Sequence, residues 1–137
     1  MILLDLSGGD GRPIYSQIAD RVKFAIAAGG VRPGELVPSV RELSKQLVVN
    51  PNTVARAYRE LQGDGLLETV RGTGLQVAEG AVDRCRQARR DFVRTLFRAA
   101  FEEAERTRLD PAEIEAIVRE EAVRQSSAAN GESRTHS

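Results

Sequence analysis

Ser39 and Arg41, then Asn50, Asn52, Thr53 and Arg56, then Arg71 beside Gly72, form three short clusters of groups suited to hydrogen bonding. Carboxamides present donor and acceptor side by side, a guanidinium presents a planar fork of donors, and hydroxyls do both. Such groups match base edges and phosphate oxygens, and a glycine beside an arginine lets backbone approach closely. Lys45 and Arg59 add cations suited to phosphate. Catalytic chemistry has no comparable set. The sole histidine is His136, near the C-terminus, and there is no Ser-His-Asp or Cys-His arrangement. Gly72-Thr73-Gly74 lacks the Lys-Ser/Thr of a phosphate loop. The residues argue against an enzyme, and no cofactor or metal is expected.

Positioning those side chains falls to two short helices joined by a tight turn. Ser39 followed by Glu42 is a capping box, so a helix starts at Ser39, with Val40, Leu43 and Leu47 at helical spacing. Val48-Val49 breaks that pattern, and Asn50-Pro51 starts a second helix, Asn50 capping and Pro51 in the first turn. This helix, reaching about Leu61, turns Val54, Ala57, Tyr58 and Leu61 inward and exposes Asn52, Thr53, Arg56 and Arg59. Upstream, Pro13 opens a helix with Ile14, Ile18, Val22 and Ile26 in one stripe, stopped by Gly29-Gly30. Arg32-Pro33-Gly34-Glu35 reads as a type II turn, followed by a short strand at Leu36-Val37. Downstream of Gly63-Asp64-Gly65, the runs 66–71 and 75–77 flank Gly72-Thr73-Gly74 as a hairpin. The expected fold is mainly α with a small β-hairpin: an N-terminal winged helix-turn-helix, residues 1–79, followed by a two-helix dimerisation tail, residues 80–125. Tyr15 and Tyr58 read as packing residues.

The tail is expected to begin with a long helix. Val82, Cys85, Ala88, Phe92, Leu96 and Ala99 trace one face, widened by Val93, Phe97 and Phe101. Asp110-Pro111-Ala112-Glu113 starts another helix, with Ile114, Ile117 and Val118 inward. Two such hairpins would make a four-helix dimer core, its interface carried by Val82, Cys85, Phe92, Leu96, Phe97, Ile114 and Ile117. Arginines crowd the first tail helix through Arg98 and acids concentrate after Glu102, so antiparallel contacts would pair opposite charges. Residues 126–137 are small and polar, and disorder is expected there. Cys85, the only cysteine, rules out an intrachain disulfide and reads as a small buried hydrophobe.

The 20 Lys+Arg and 20 Asp+Glu of the 137 residues cancel, so local arrangement rather than a global field must attract nucleic acid. The N-terminal MILLDLSGG lacks a basic region and is too short for a signal peptide or a membrane span, which points to the cytoplasm.

RPIYSQIADRVKFAIAAG, then PSVREL, NPNTVARAYREL and RGTG, resembles the DNA-binding domain of the GntR family of bacterial transcription regulators over residues 11–79. The short remainder resembles the YtrA-type subfamily, whose members carry only a two-helix dimerisation tail. Val37 and Leu75-Gln76 depart from the family's usual Leu before Pro-Ser and Thr-Phe after the wing glycines. The resemblance implies a homodimer on a two-fold operator, with Arg41 and the start of the second helix contacting DNA and Arg71-Gly72 at the minor groove. It further implies repression, often of a transporter operon of the ATP-binding-cassette class. The two-helix tail offers little volume for a ligand pocket, so a small-molecule effector would bind between protomers or between tail and DNA domain. The alternative is a protein-interaction module that keeps the winged helix as a scaffold without DNA binding.

Overall fold

The computed structural model describes residues 11–135, with side chains described through 131. The N-terminal MILLDLSGG and His136 lie outside that range. Among the described residues the order is α1 (Ile14–Ala27), α2 (Val40–Leu47), α3 (Pro51–Gly63), β1 (Leu67–Val70), β2 (Gly74–Val77), α4 (Ala81–Arg106) and α5 (Pro111–Thr135). The chain divides into two compact units, one ending at Phe92 and one starting at Val93.

In the first unit, α1 presents Ile18, Val22 and Ile26 one turn apart, all fully buried. They meet Leu43 from α2, Val54 and Leu61 from α3, and Leu67 and Val77 from the hairpin. Ile14, the expected start of the stripe, is half-exposed at the first position of α1. Both helix starts carry a side-chain cap, the capping box through its hydroxyl half. Ser39 Oγ accepts the Glu42 N–H at 3.1 Å, and Asn50 Oδ1 accepts the Asn52 N–H at 2.8 Å with Pro51 in the first turn. Between them Val48 caps α2 in the left-handed region, φ 54°, its side chain 89% exposed.

The Arg32–Glu35 turn closes with the Glu35 N–H on the Arg32 carbonyl at 3.0 Å, and Gly34 takes the positive φ, 86°, of a type II turn. The strand expected at Leu36-Val37 is a single bridge, Leu36 to Gln76. It is nonetheless tied to β2, Val37 donating to the Leu75 carbonyl and Val77 to the Glu35 carbonyl. β1 and β2 pair antiparallel, Leu67 opposite Val77 through Val70 opposite Gly74. At the tip the Thr73 N–H meets the Val70 carbonyl at 2.9 Å, and Gly72 supplies a positive φ of 76°.

The boundary expected at residues 79/80 moves. Ala81 and Cys85, on the first turns of α4, are buried in the core of the first unit, and Val82 packs against it. Phe92 meets Phe24 of α1 edge-on, ring centroids 5.0 Å apart, and Arg86 Nε donates to the Ala27 carbonyl. These turns of α4 therefore close the first unit.

The second unit is a helical hairpin. Its turn has Arg108 at φ 65°, and the next helix is capped by Asp110 Oδ1 accepting the Ala112 N–H at 2.8 Å. Disorder from Ser126 is not what the structure shows: α5 continues to Thr135. Ser126 to Asn130 contains no proline and includes two alanines, so nothing there forbids continuing a helix that is already nucleated.

Candidate nucleic-acid interface

The expected contact residues all occupy the first unit, and all but Arg56, in the middle of α3, stand at helix starts or at the hairpin tip. Arg41 lies on the first turn of α2, exposed, while its carbonyl accepts the Ser44 hydroxyl at 2.9 Å. Ser39 and Asn50 are exposed N-caps. Each uses one oxygen locally. Asn50 keeps its amide N–H donors and Ser39 its hydroxyl proton for an outside partner. Asn52 is exposed and Thr53 half-buried on the first turn of α3, where the helix dipole favours a nearby phosphate although the Asn52 and Thr53 N–H groups already donate to Asn50. Arg71 and Gly72 are exposed at the hairpin tip. A cleft of about 280 Å³ lined by Ser39, Glu42, Tyr58, Thr73 and Gly74 brings the start of α2 beside the wing.

The arginines keep their charge available. Among the described residues the ion pairs Arg12–Asp20, Arg86–Asp83, Arg106–Glu103 and Arg124–Glu121 leave Arg41, Arg56 and Arg71 without a carboxylate partner. Arg41 is thus not neutralised by Glu42, the bland explanation for an arginine beside a glutamate. Arg56 has a different neighbour: its guanidinium carbon sits 3.8 Å from the centroid of the Tyr15 ring. Sequence reasoning placed Tyr15 in the packing and missed this contact, because the two residues lie on different helices.

Tyr58 is a structural pin. It is 2% exposed, and its hydroxyl donates to the Pro38 carbonyl at 2.7 Å, tying α3 to the residue before the α2 cap. Burial, assisted by the negative charge of Glu42, pushes its phenol far above the ordinary tyrosine range. The Cys85 thiol is also raised, by burial, against the opposing pull of Lys23 and Arg84. A protonated, buried thiol is the small hydrophobe expected.

The residues expected at the dimer face separate into two groups. Cys85 is fully buried within its own chain, and Val82 and Phe92 pack on α1 and the core, so these positions serve the fold of one protomer. Leu96, Phe97 and Ile117 are about half-exposed, whereas Ile114 is buried within the hairpin. Together with Phe101, Leu109 and Val118, Phe97, Ile114 and Ile117 line an apolar groove of about 540 Å³. Among the described residues no cluster of His, Cys, Asp or Glu fits a metal ion, and no helix is long and apolar enough to cross a membrane.

Residues 14–77 match the family described as bacterial regulatory proteins, gntR family, the span from α1 through the wing. The chain belongs to the GntR family. It is 40% identical over 79 residues to the HTH-type transcriptional repressor YtrA of Bacillus subtilis, a match covering 58% of this chain and 61% of that protein. The chain thus spans about three fifths of that curated relative. Among solved structures, a GntR family transcriptional regulator from Listeria monocytogenes aligns with TM-score 0.67 and 33% identity, over 81% of this chain and 96% of that one. YtrA from Sulfolobus acidocaldarius, a GntR-family transcription factor, aligns with TM-score 0.52 and 31% identity, over 74% of this chain and 99% of that one. These relatives are transcription regulators, not enzymes. The GntR domain here is a winged helix built from α1, α2, α3 and the hairpin.

Proposed function

We propose that this GntR-family chain is a sequence-specific DNA-binding repressor that acts in the cytoplasm as a homodimer on a two-fold operator. The observation that carries the reading is the set of exposed, carboxylate-free donors on α2, α3 and the wing: Arg41, Asn52, Arg56 and Arg71. The N-terminal turn of α3 enters the major groove, its positive dipole end near phosphate. Arg71 lies along the minor groove, where Gly72 permits close approach. Salt-dependent affinity follows from the phosphate contacts.

Dimerisation is supported by the apolar groove of the second unit. Leu96, Phe97 and Ile117 leave water only against a second surface. A second copy supplies one with matching charge: Arg89, Arg90, Arg94 and Arg98 of α4 face an α5 carrying Glu113, Glu115, Glu120 and Glu121. Resemblance to the YtrA type extends the proposal to a transporter operon of the ATP-binding-cassette class. A small-molecule effector, if the system uses one, acts between protomers by changing the spacing of the two recognition helices.

The test is fluorescence anisotropy against the DNA immediately upstream of the gene, over a salt series, beside random DNA and the Arg41→Glu variant. Tight, salt-dependent binding that exceeds random DNA and fails in the variant is expected. Operator binding untouched by Arg41→Glu would overturn the assignment of α2 to the interface, and equally weak binding to all DNA would give the lead to a protein-interaction role.

A further inference from the structure

Three arginines of the first unit lie over aromatic rings, and they differ in what else holds them. Arg12 is 5.3 Å from the Phe92 centroid and forms an ion pair with Asp20 at 2.6 Å. Arg21 lies 5.8 Å from the Phe24 centroid. Arg56 is in contact with its ring at 3.8 Å, and among the described residues no carboxylate shares its charge. Arg56 also differs in place, because it projects from the exposed side of α3 beyond the cap.

Attraction to a ring's quadrupole orients a guanidinium without neutralising it and without occupying its N–H donors as a carboxylate would. Tyr15 is well suited to this. It sits at the second position of α1, half-buried, with its side chain packed against the core. A ring seated on the core is a fixed platform, whereas a free arginine samples many rotamers and loses that freedom on binding.

We propose that Tyr15, outside the helix-turn-helix, is a positioning residue for operator reading: its ring holds the Arg56 guanidinium ready for a base edge. The inference rests on the operator-binding reading above. It assigns part of sequence discrimination to α1, an element that the reading itself treats as scaffold.

The test uses an oligonucleotide enriched from a random pool by the wild-type protein, and compares affinity for it with affinity for random DNA at fixed salt. Tyr15→Phe retains the ring and should retain the wild-type ratio. Tyr15→Leu should lower the ratio about three- to fivefold, the range of an exposed cation–π contact. Pentafluorophenylalanine in place of Tyr15 keeps a ring of similar shape but removes its negative face, so it should lower the ratio similarly. It also decides the matter if Tyr15→Leu does not fold. Because the effect runs through Arg56, neither change should alter the ratio in an Arg56→Ala background. A folded pentafluorophenylalanine variant with the wild-type ratio, or the same loss with Arg56 absent, would overturn the proposal while leaving operator binding intact. A wild-type protein that enriches no sequence would instead overturn the operator-binding reading, and this inference with it.

Discussion

The helix-turn-helix unit satisfies its side chains internally, whereas the hairpin after Phe92 leaves its apolar face open. In the first unit Ile18, Leu43, Val54, Leu61 and Val77 are completely buried, and the helix starts at Ser39 and Asn50 are capped by side chains. In the second, Leu96, Phe97 and Ile117 remain about half-exposed, and among the described residues only Ile114 is buried. What the first unit presents to solvent at α2 and α3 is polar; what the second presents is hydrocarbon. A folded unit with polar ends is ready to meet a nucleic acid, and an open apolar hairpin calls for a protein surface.

Charging the open face should have the largest effect. Leu96→Asp with Phe97→Asp is expected to give a monomer by sedimentation velocity, and half-site binding alone should forfeit about 10² to 10⁴ in operator affinity, the usual gain from linked sites. The helix-turn-helix should keep its fold, because neither side chain belongs to its core. A double variant that still sediments as a dimer would place the interface elsewhere.

The converse change attacks the closed unit. Leu61→Ala removes a fully buried side chain of α3, and chemical denaturation should show a loss of about 2 to 5 kcal/mol. Ile117→Ala, at a half-exposed position, should leave the stability of an isolated protomer within about 0.5 kcal/mol. Equal costs at the two sites would mean that the hairpin is already complete in one chain.

A smaller effect distinguishes capping from DNA contact at Ser39. Its hydroxyl holds the Glu42 N–H, so Ser39→Ala should lower stability by about 1 kcal/mol in thermal unfolding. Ser39→Asp retains a capping acceptor and should restore that stability, yet it places an anion where a phosphate is expected and should weaken DNA binding.

Local signals made most of the first unit legible. The caps at Ser39 and Asn50, the i, i+4 stripe from Ile18 to Ile26 and the glycine hairpin are all written within a few neighbouring residues. What escaped depends on distant partners. The spacing of Val82, Cys85 and Phe92 shows an apolar helix face but not whether α1 or a second chain covers it; the structure shows Phe92 against Phe24. The Tyr15–Arg56 contact was hidden for the same reason, since it joins residues on separate helices. The extension of α5 to Thr135 escaped differently, through composition: small polar residues disfavour a helix interior but do not prohibit continuing a helix that is already nucleated.

The turn between α2 and α3 offers the finest probe of how fully the first unit is optimised. Val48 is β-branched yet sits at φ 54°, ψ 51°, a left-handed conformation that crowds its Cβ against the backbone. Its side chain is 89% exposed, so little burial offsets that cost. Relief of left-handed strain is worth about 1 to 2 kcal/mol, and the greater freedom of glycine in the unfolded chain returns about 0.5 to 1 kcal/mol. Val48→Gly should therefore raise stability by roughly 0.5 to 1 kcal/mol, read as a higher denaturation midpoint with an unchanged slope. Val48→Ala keeps a Cβ in the same backbone region and should recover less of the gain. If Val48→Gly lowers stability instead, the exposed methyls are doing more in the folded protein than their solvent contact indicates, and the turn is not a strained joint. If it raises stability but weakens operator binding, the valine contacts DNA, and the strain is retained at a reading position, next to the Asn50 cap where α3 begins.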